Sequence, residues 1–243
     1  MYTLLKSEVG SFPEAHFPQG IDLDAEDHKA RRRLYPVTFV YSVQLTALLA
    51  LAARSHKLLA ALAFMAVAIA AWIPIEYWAH RYILHGAFPK RGLLGSALHY
   101  LFDASHSDHH ARPWDGMYIN GHVDTLWLAL VVMPLSFLAP AHTAPVFLAT
   151  VLACYAFEEW VHHATHFWNF RWSYFQYLRR RHLFHHSRHG VGLAYGVTSG
   201  IWDAVAGTRI PVRERRLLLP GRHTRRQAAP LEPAPEKNLA HGA

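Results

Sequence analysis

One cysteine in 243 residues, Cys154, leaves no disulfide framework and no cysteine-ligated zinc site. It stands in an apolar block and is read as a packing residue rather than a nucleophile. Charge is scarce as well: Asp, Glu, Lys and Arg make up 17% of the chain against 52% hydrophobic residues, and long stretches carry none. The first 28 residues hold several acids and no apolar core, so no signal peptide is expected there. Neither end has a run of consecutive histidines, which excludes an expression tag. A formal charge of +7 would suit a nucleic-acid binder. The basic residues flank apolar blocks instead, so a membrane surface is expected and no nucleic-acid partner.

Four long apolar blocks, free of Lys and Arg, stand out: Tyr35–Ala53, Leu58–Trp78, Val123–Ala141 and Thr143–Val161. A helix rises about 1.5 Å per residue, so about 20 apolar residues cross a hydrocarbon core of about 30 Å. A buried helix of a soluble protein would be shorter and apolar on one face only. These blocks are apolar all round. The first two are joined by Arg54–Lys57 and the last two by little more than His142, links that imply two helical hairpins. Of the 24 Lys and Arg, only Arg54 and Lys57 fall in these links and none in a span, and Arg31–Arg33 directly precede the first. Both termini and the long middle segment are therefore expected on the cytoplasmic side.

The acids obey the same polarity. Glu76 closes the second span, Asp124 opens the third, and Glu158 and Glu159 close the fourth, all at the expected cytoplasmic ends. Ionisable groups near membrane depth usually face a polar site; Asp124 is read as a helix-start residue favoured by the dipole. Residues 167–207, rich in aromatic and basic side chains, suggest helices lying at the interface. From about Pro211 the composition shifts to Arg, Pro and Ala. The expected organisation is a cytoplasmic segment 1–34, a membrane domain 35–210 and a basic, disordered tail 211–243. The fold class is all-α: four transmembrane helices in two hairpins under a cytoplasmic helical cap.

What the chain has in excess is histidine, 20 residues. Neutral imidazole is the commonest metal ligand at physiological pH. Ten histidines fall into four clusters on the expected cytoplasmic side: His80 and His85; His106, His109 and His110; His162 and His166; and His182, His185 and His186. Residues three and four apart share a helix face, so each HxxHH triplet can point together, and His162 and His166 form an i, i+4 pair. His80 and His85 lie roughly 140° apart on an ideal helix and need a distorted turn. Even octahedral coordination takes six ligands, so ten imidazoles fit two ions rather than one. His16, His28, His56, His142, His223 and His241 stand singly and are read as surface residues; His99, His122, His163 and His189 are spare candidates.

The order HxxxxH, HxxHH, HxxxH, HxxHH resembles the fatty-acid hydroxylase superfamily, which includes sterol desaturases and fatty-acid 2-hydroxylases. Further matches are His110-Ala-Arg-Pro113-Trp-Asp115-Gly116, Glu158-Glu159-Trp160, and Gly196-Val-Thr-Ser through Trp202-Asp203 to Gly207-Thr208, so the likeness runs from about Trp72 to Thr208. It implies a non-haem diiron oxygenase acting on long-chain lipids, with the ten histidines as ligands and two iron ions as cofactor. Imidazole also suits zinc, which a purified protein could carry. Glu76, Glu158 and Asp203 are the candidates for carboxylates holding a ligand's free ring N–H. No His-Pro-Gly-Gly haem motif occurs in the sequence, so a separate electron-transfer protein is the expected partner, beside membrane lipid and dioxygen. A bacterial inner membrane is the expected location. Three alternatives stay open: a sterol or other lipid desaturase, a lipid head-group hydroxylase, and, from another class, a histidine-rich metal transporter. The last would want polar residues along its spans, and these carry acids only at one end.

Overall fold

The computed structural model describes residues 20–86, 88–119, 125–187 and 189–215. Helix α1 (Leu23–Arg54) starts at Asp22, whose carboxylate accepts from the Asp24 and Ala25 amides. It begins well before the apolar block, so Arg31–Arg33 ride on the same helix that becomes apolar after Tyr35. Pro36 lies inside it, removing one ladder hydrogen bond. The link to α2 (Leu58–Trp78) closes the helix end: the Ser55 amide donates to Leu51 and the Lys57 amide to Ala52, with His56 in the left-handed region at φ 55°.

α2 has the bounds the sequence implies, but it does not stop there. It continues into a π-helical turn, Ala79–Leu84, that carries His80 into the site. After a loop come α3 (Leu93–Leu98), a second π turn (His99–Asp103) and α4 (Ala104–Ala111). α5 (Thr125–Ser136) is followed by α6 (Ala144–Phe167), α7 (Ser173–His185) and the short α8 (Ile201–Val205). α9 (Val212–Arg215) belongs to a separate unit starting at Pro211, and the rest of the basic tail lies outside the described residues.

Among the described residues, three helical stretches are long and apolar enough to cross a membrane: Leu23–Arg54, Leu58–Leu84 and Ala144–Phe167. The third expected span departs from its outline. α5 has 12 residues, about 18 Å of helix, and Val123 and Asp124, its expected start, lie outside the described residues. Its far end has a physical cause. Pro134 has no amide to donate, and the amides of Phe137, Leu138 and Ala139 turn back three residues to Pro134, Leu135 and Ser136. The fourth expected span has the opposite fate: α6 runs six residues beyond Val161, so the third histidine cluster sits on the long helix itself.

α6 packs against α1 and α2 and is the centre of the bundle. The contacts are made by small residues: Ala52, Ala61 and Ala149 are buried with Leu48, Met133 and Val146. Without water to drive helices together, close backbone approach of this kind is what holds a membrane bundle. Large apolar side chains point outward instead, among them Phe39 on α1 and Leu59 and Val67 on α2. The buried set contains His80, His109, His162, His166, His182 and His185. Apolar outside and polar inside is the arrangement lipid demands.

Candidate metal centre

The ten clustered histidines converge into two groups of five. The first is His80, His85, His106, His110 and His185; the second is His109, His162, His166, His182 and His186. In each group one ring nitrogen from every residue lies within 4.8 Å of all the others. The groups adjoin, with the rings of His110 and His186 stacked at 4.2 Å between centroids.

Local structure explains the membership. His85 donates its amide to the His80 carbonyl, the i to i+5 bond of a π turn, which sets residues five apart on one face. That is the distortion the HxxxxH spacing requires. His162 and His166 are an i, i+4 pair on α6. The two HxxHH triplets do not point together as their spacing suggests. His106 and His110 enter the first group while His109 enters the second; His182 and His186 enter the second while His185 enters the first. Each triplet spends its i, i+4 pair on one group and its i+3 residue on the other, because a step of three turns the side chain about 300° and a step of four about 400°.

Proton bookkeeping indicates what the groups can hold. The Nδ1 atoms of His80 and His185 face the main-chain carbonyls of Tyr195 at 2.5 Å and Leu193 at 2.7 Å. A carbonyl only accepts, so Nδ1 carries the hydrogen and Nε2 presents a bare lone pair. His106 Nε2 lies 3.1 Å from the Nε2 atoms of His80, His85 and His110 at once. One N–H cannot satisfy three such neighbours. The remaining close Nε2 pairs, at 2.8–3.0 Å, are His85–His185, His109–His162, His166–His182 and His182–His186. Two nitrogens each about 2.1 Å from one ion and about 90° apart are about 3.0 Å from each other. The donor set thus fits a divalent transition metal in each group.

Burial also keeps the rings neutral, the form that ligates. It pushes His185 down to about 4. His106, His109, His110, His182 and His186 are held well below the ordinary histidine value, first by burial and then by neighbouring rings.

His163 belongs to neither group: it faces away, with Nε2 2.7 Å from Asp27 Oδ1 on α1, and Asp27 also pairs with Arg31. The register of the third cluster is therefore His162 and His166. His99 and His189 are not members either, and His122 lies outside the described residues. Of the candidate carboxylates, Glu158 is half-buried one turn before His162. Glu76 and Asp203 do not hold a ring N–H. Glu76 accepts from the Val197 and Thr198 amides and the Thr198 hydroxyl, and Asp203 from the Tyr195 and Gly196 amides, the Thr208 hydroxyl and Arg181. The histidine acceptors that sequence reasoning missed are main-chain carbonyls, which no side-chain letter marks.

The fatty acid hydroxylase family model matches residues 64–208. Among curated proteins, the chain is 31% identical over 146 residues to a dihydroceramide fatty acyl 2-hydroxylase of Arabidopsis thaliana, covering 59% of each. It is 27% identical over 143 residues to the fatty acid 2-hydroxylase of Macaca fascicularis, covering 58% of this chain and 37% of that protein. The solved structure of full-length scs7p, with only its hydroxylase domain visible, superposes with a TM-score of 0.61 at 26% identity, over 73% of this chain and 67% of that one. The chain thus spans between a third and two thirds of these curated relatives. Because the family match takes in well over half of these 243 residues and all ten clustered histidines, the chain belongs to the fatty acid hydroxylase family.

Proposed function

We propose that this protein is a membrane lipid hydroxylase that adds one hydroxyl group to a fatty acyl chain, at the 2-position as in its named relatives. The observation that carries the proposal is the pair of adjoining five-histidine groups. His80, His85, His106, His110 and His185 would hold one iron ion, and His109, His162, His166, His182 and His186 the other. Bound iron supplies the power to oxidise an unactivated C–H bond with dioxygen, which no side chain possesses.

The protein's part is orientation and exclusion. Main-chain carbonyls fix the His80 and His185 rings with Nε2 facing inward, and neutral imidazoles stay competent to ligate. Trp78, Tyr82 and Ile83 alternate with His80 and His85 along the same segment and remain 46%, 50% and 38% exposed. Stacked on one another at 4.9 Å, the Trp78 and Tyr82 rings form an exposed apolar surface on the segment that carries His80 and His85, suited to an acyl chain. The short α5 completes a fourth crossing in this reading, with both termini and the site on the cytoplasmic face where Arg31–Arg33 lie. Two electrons would come from an electron donor outside the described membrane domain.

The test is growth of cells expressing the full chain under heavy dioxygen, followed by mass spectrometry of their lipids. A new 2-hydroxy acyl chain carrying one labelled oxygen is expected. An acyl chain or sterol that has instead lost two hydrogens and carries no label would put a desaturase in its place. A labelled head group would put the hydroxyl on the polar end of the lipid.

A further inference from the structure

The two histidine groups are oriented by different means. In the first, both histidines with a fixed Nδ1 are held by one loop: Leu193 O accepts from His185 and Tyr195 O from His80. In the second, the Nδ1 atoms of His109 and His186 are buried and meet no hydrogen-bond partner among the described residues.

The loop is itself clamped. Asp203 Oδ1 accepts from the Tyr195 amide at 2.9 Å and the Thr208 hydroxyl at 2.8 Å; Oδ2 accepts from the Gly196 amide at 3.0 Å and from Arg181. Asp203 is 1% exposed, so these four donors have no water to turn to. Glu76 takes the next two amides, Val197 at 2.5 Å and Thr198 at 2.8 Å. The turn is tight: Ala194 sits in the left-handed region at φ 58°, and a side chain on Gly196 would strike the Ser199 carbonyl. Thr208 closes the circuit by bonding the Tyr77 hydroxyl at 3.0 Å, three residues before His80.

We propose that Asp203 is a positioning residue for the first metal position alone: by fixing the 193–198 loop it aims the Leu193 and Tyr195 carbonyls that orient His185 and His80. The second position does not depend on it. This rests on the two-ion reading above. Asp203→Asn keeps the shape but turns one acceptor into a donor, and each carboxylate oxygen meets two donors, so at least one contact becomes donor against donor. The loop carbonyls lose their aim and the first position weakens.

The experiment is stepwise titration of the metal-free full chain in detergent with Fe2+ under anaerobic conditions, read as ions bound per chain, with thermal melting of the same metal-free samples. The wild type is expected to bind two ions. Asp203→Asn is expected to bind one with wild-type affinity and the other about 10–100-fold more weakly, the usual cost of losing an outer partner of a ligand. Combined with His85→Ala, Asp203→Asn should leave one tight ion; combined with His162→Ala it should leave none. A purely structural Asp203 would weaken both ions in step with a fall in melting temperature, and that result overturns the proposal, as does wild-type binding of both. Should Asp203→Asn fail to fold, Thr208→Val removes one of the four donors. A several-fold weakening confined to the ion that His85→Ala abolishes is expected, and equal or no weakening overturns the proposal. A wild type binding fewer than two ions would instead refute the two-ion reading itself.

Discussion

The two histidine groups contain the same number of imidazoles and yet are built on opposite principles. The second is closed: four of its five members are buried, on α4, α6 and α7, and the Nδ1 atoms of His109 and His186 meet no hydrogen-bond partner among the described residues. The first is open. Only His80 and His185 are buried, His85 is exposed, and carbonyls of an irregular loop do what packing does in the other group. A ring enclosed on all sides has few orientations to lose, whereas a ring at a surface needs a hydrogen bond to stay aimed. The difference predicts distinct behaviour: the closed group should hold its ion as a fixed anchor, and the open group should exchange with its surroundings more readily.

Acid should break both groups in the metal-free protein. His185 holds its proton only below about pH 4 when folded, against an ordinary value of 6.5. Above about 6.5 folded and unfolded rings are alike neutral and the fold keeps its full stability. As pH falls below that, the unfolded chain takes up protons that the folded rings refuse, so stability is lost progressively between about 6.5 and 4. Thermal melting of metal-free protein across this window should show a steep fall, and a flat profile would mean the rings are not held neutral.

Exposure separates the groups kinetically. A chelator should remove iron in two phases, one equivalent per chain leaving the open group well before the other. A single phase would remove the distinction between open and closed.

Glu158 sharpens the comparison from the closed side. If ring packing there is assisted by the carboxylate one turn before His162, Glu158→Gln should weaken one ion by about 10–100-fold in the same titration, the one that His162→Ala abolishes. Unchanged binding would leave packing as the whole cause.

The smallest effect is expected at His163, adjacent to a member of the closed group but paired with Asp27. His163→Ala should cost about 1–3 kcal/mol of stability, the price of an unsatisfied buried partner, while two ions still bind. Loss of an ion would return His163 to the ligands.

The ten histidines, the helical character and the strained His80–His85 turn were legible in the sequence, because helical spacing is a local property and five-residue spacing demands a wider turn. Which group each histidine joins was not, since spacing gives the angle between two side chains and not the helix each will meet. His162 and His163 look alike on paper; only the buried Asp27, brought from α1, separates them. Glu76 and Asp203 were found by their position near the histidines, yet their partners are backbone amides of a loop that has no period to read. The far end of the third apolar block was not legible either, because hydropathy does not register the three-residue turns that follow Pro134.

The crossing of the HxxHH triplets between groups is the most direct point of test, and two double variants of the full chain decide it by ions bound per chain. His109→Ala with His162→Ala removes two members of one group, so one tightly bound ion should remain. His109→Ala with His106→Ala removes neighbours from one triplet but a member from each group, so neither ion should bind tightly. The reverse outcome, one ion retained when the triplet neighbours are removed and none when His109 and His162 are, would contradict the two-group architecture.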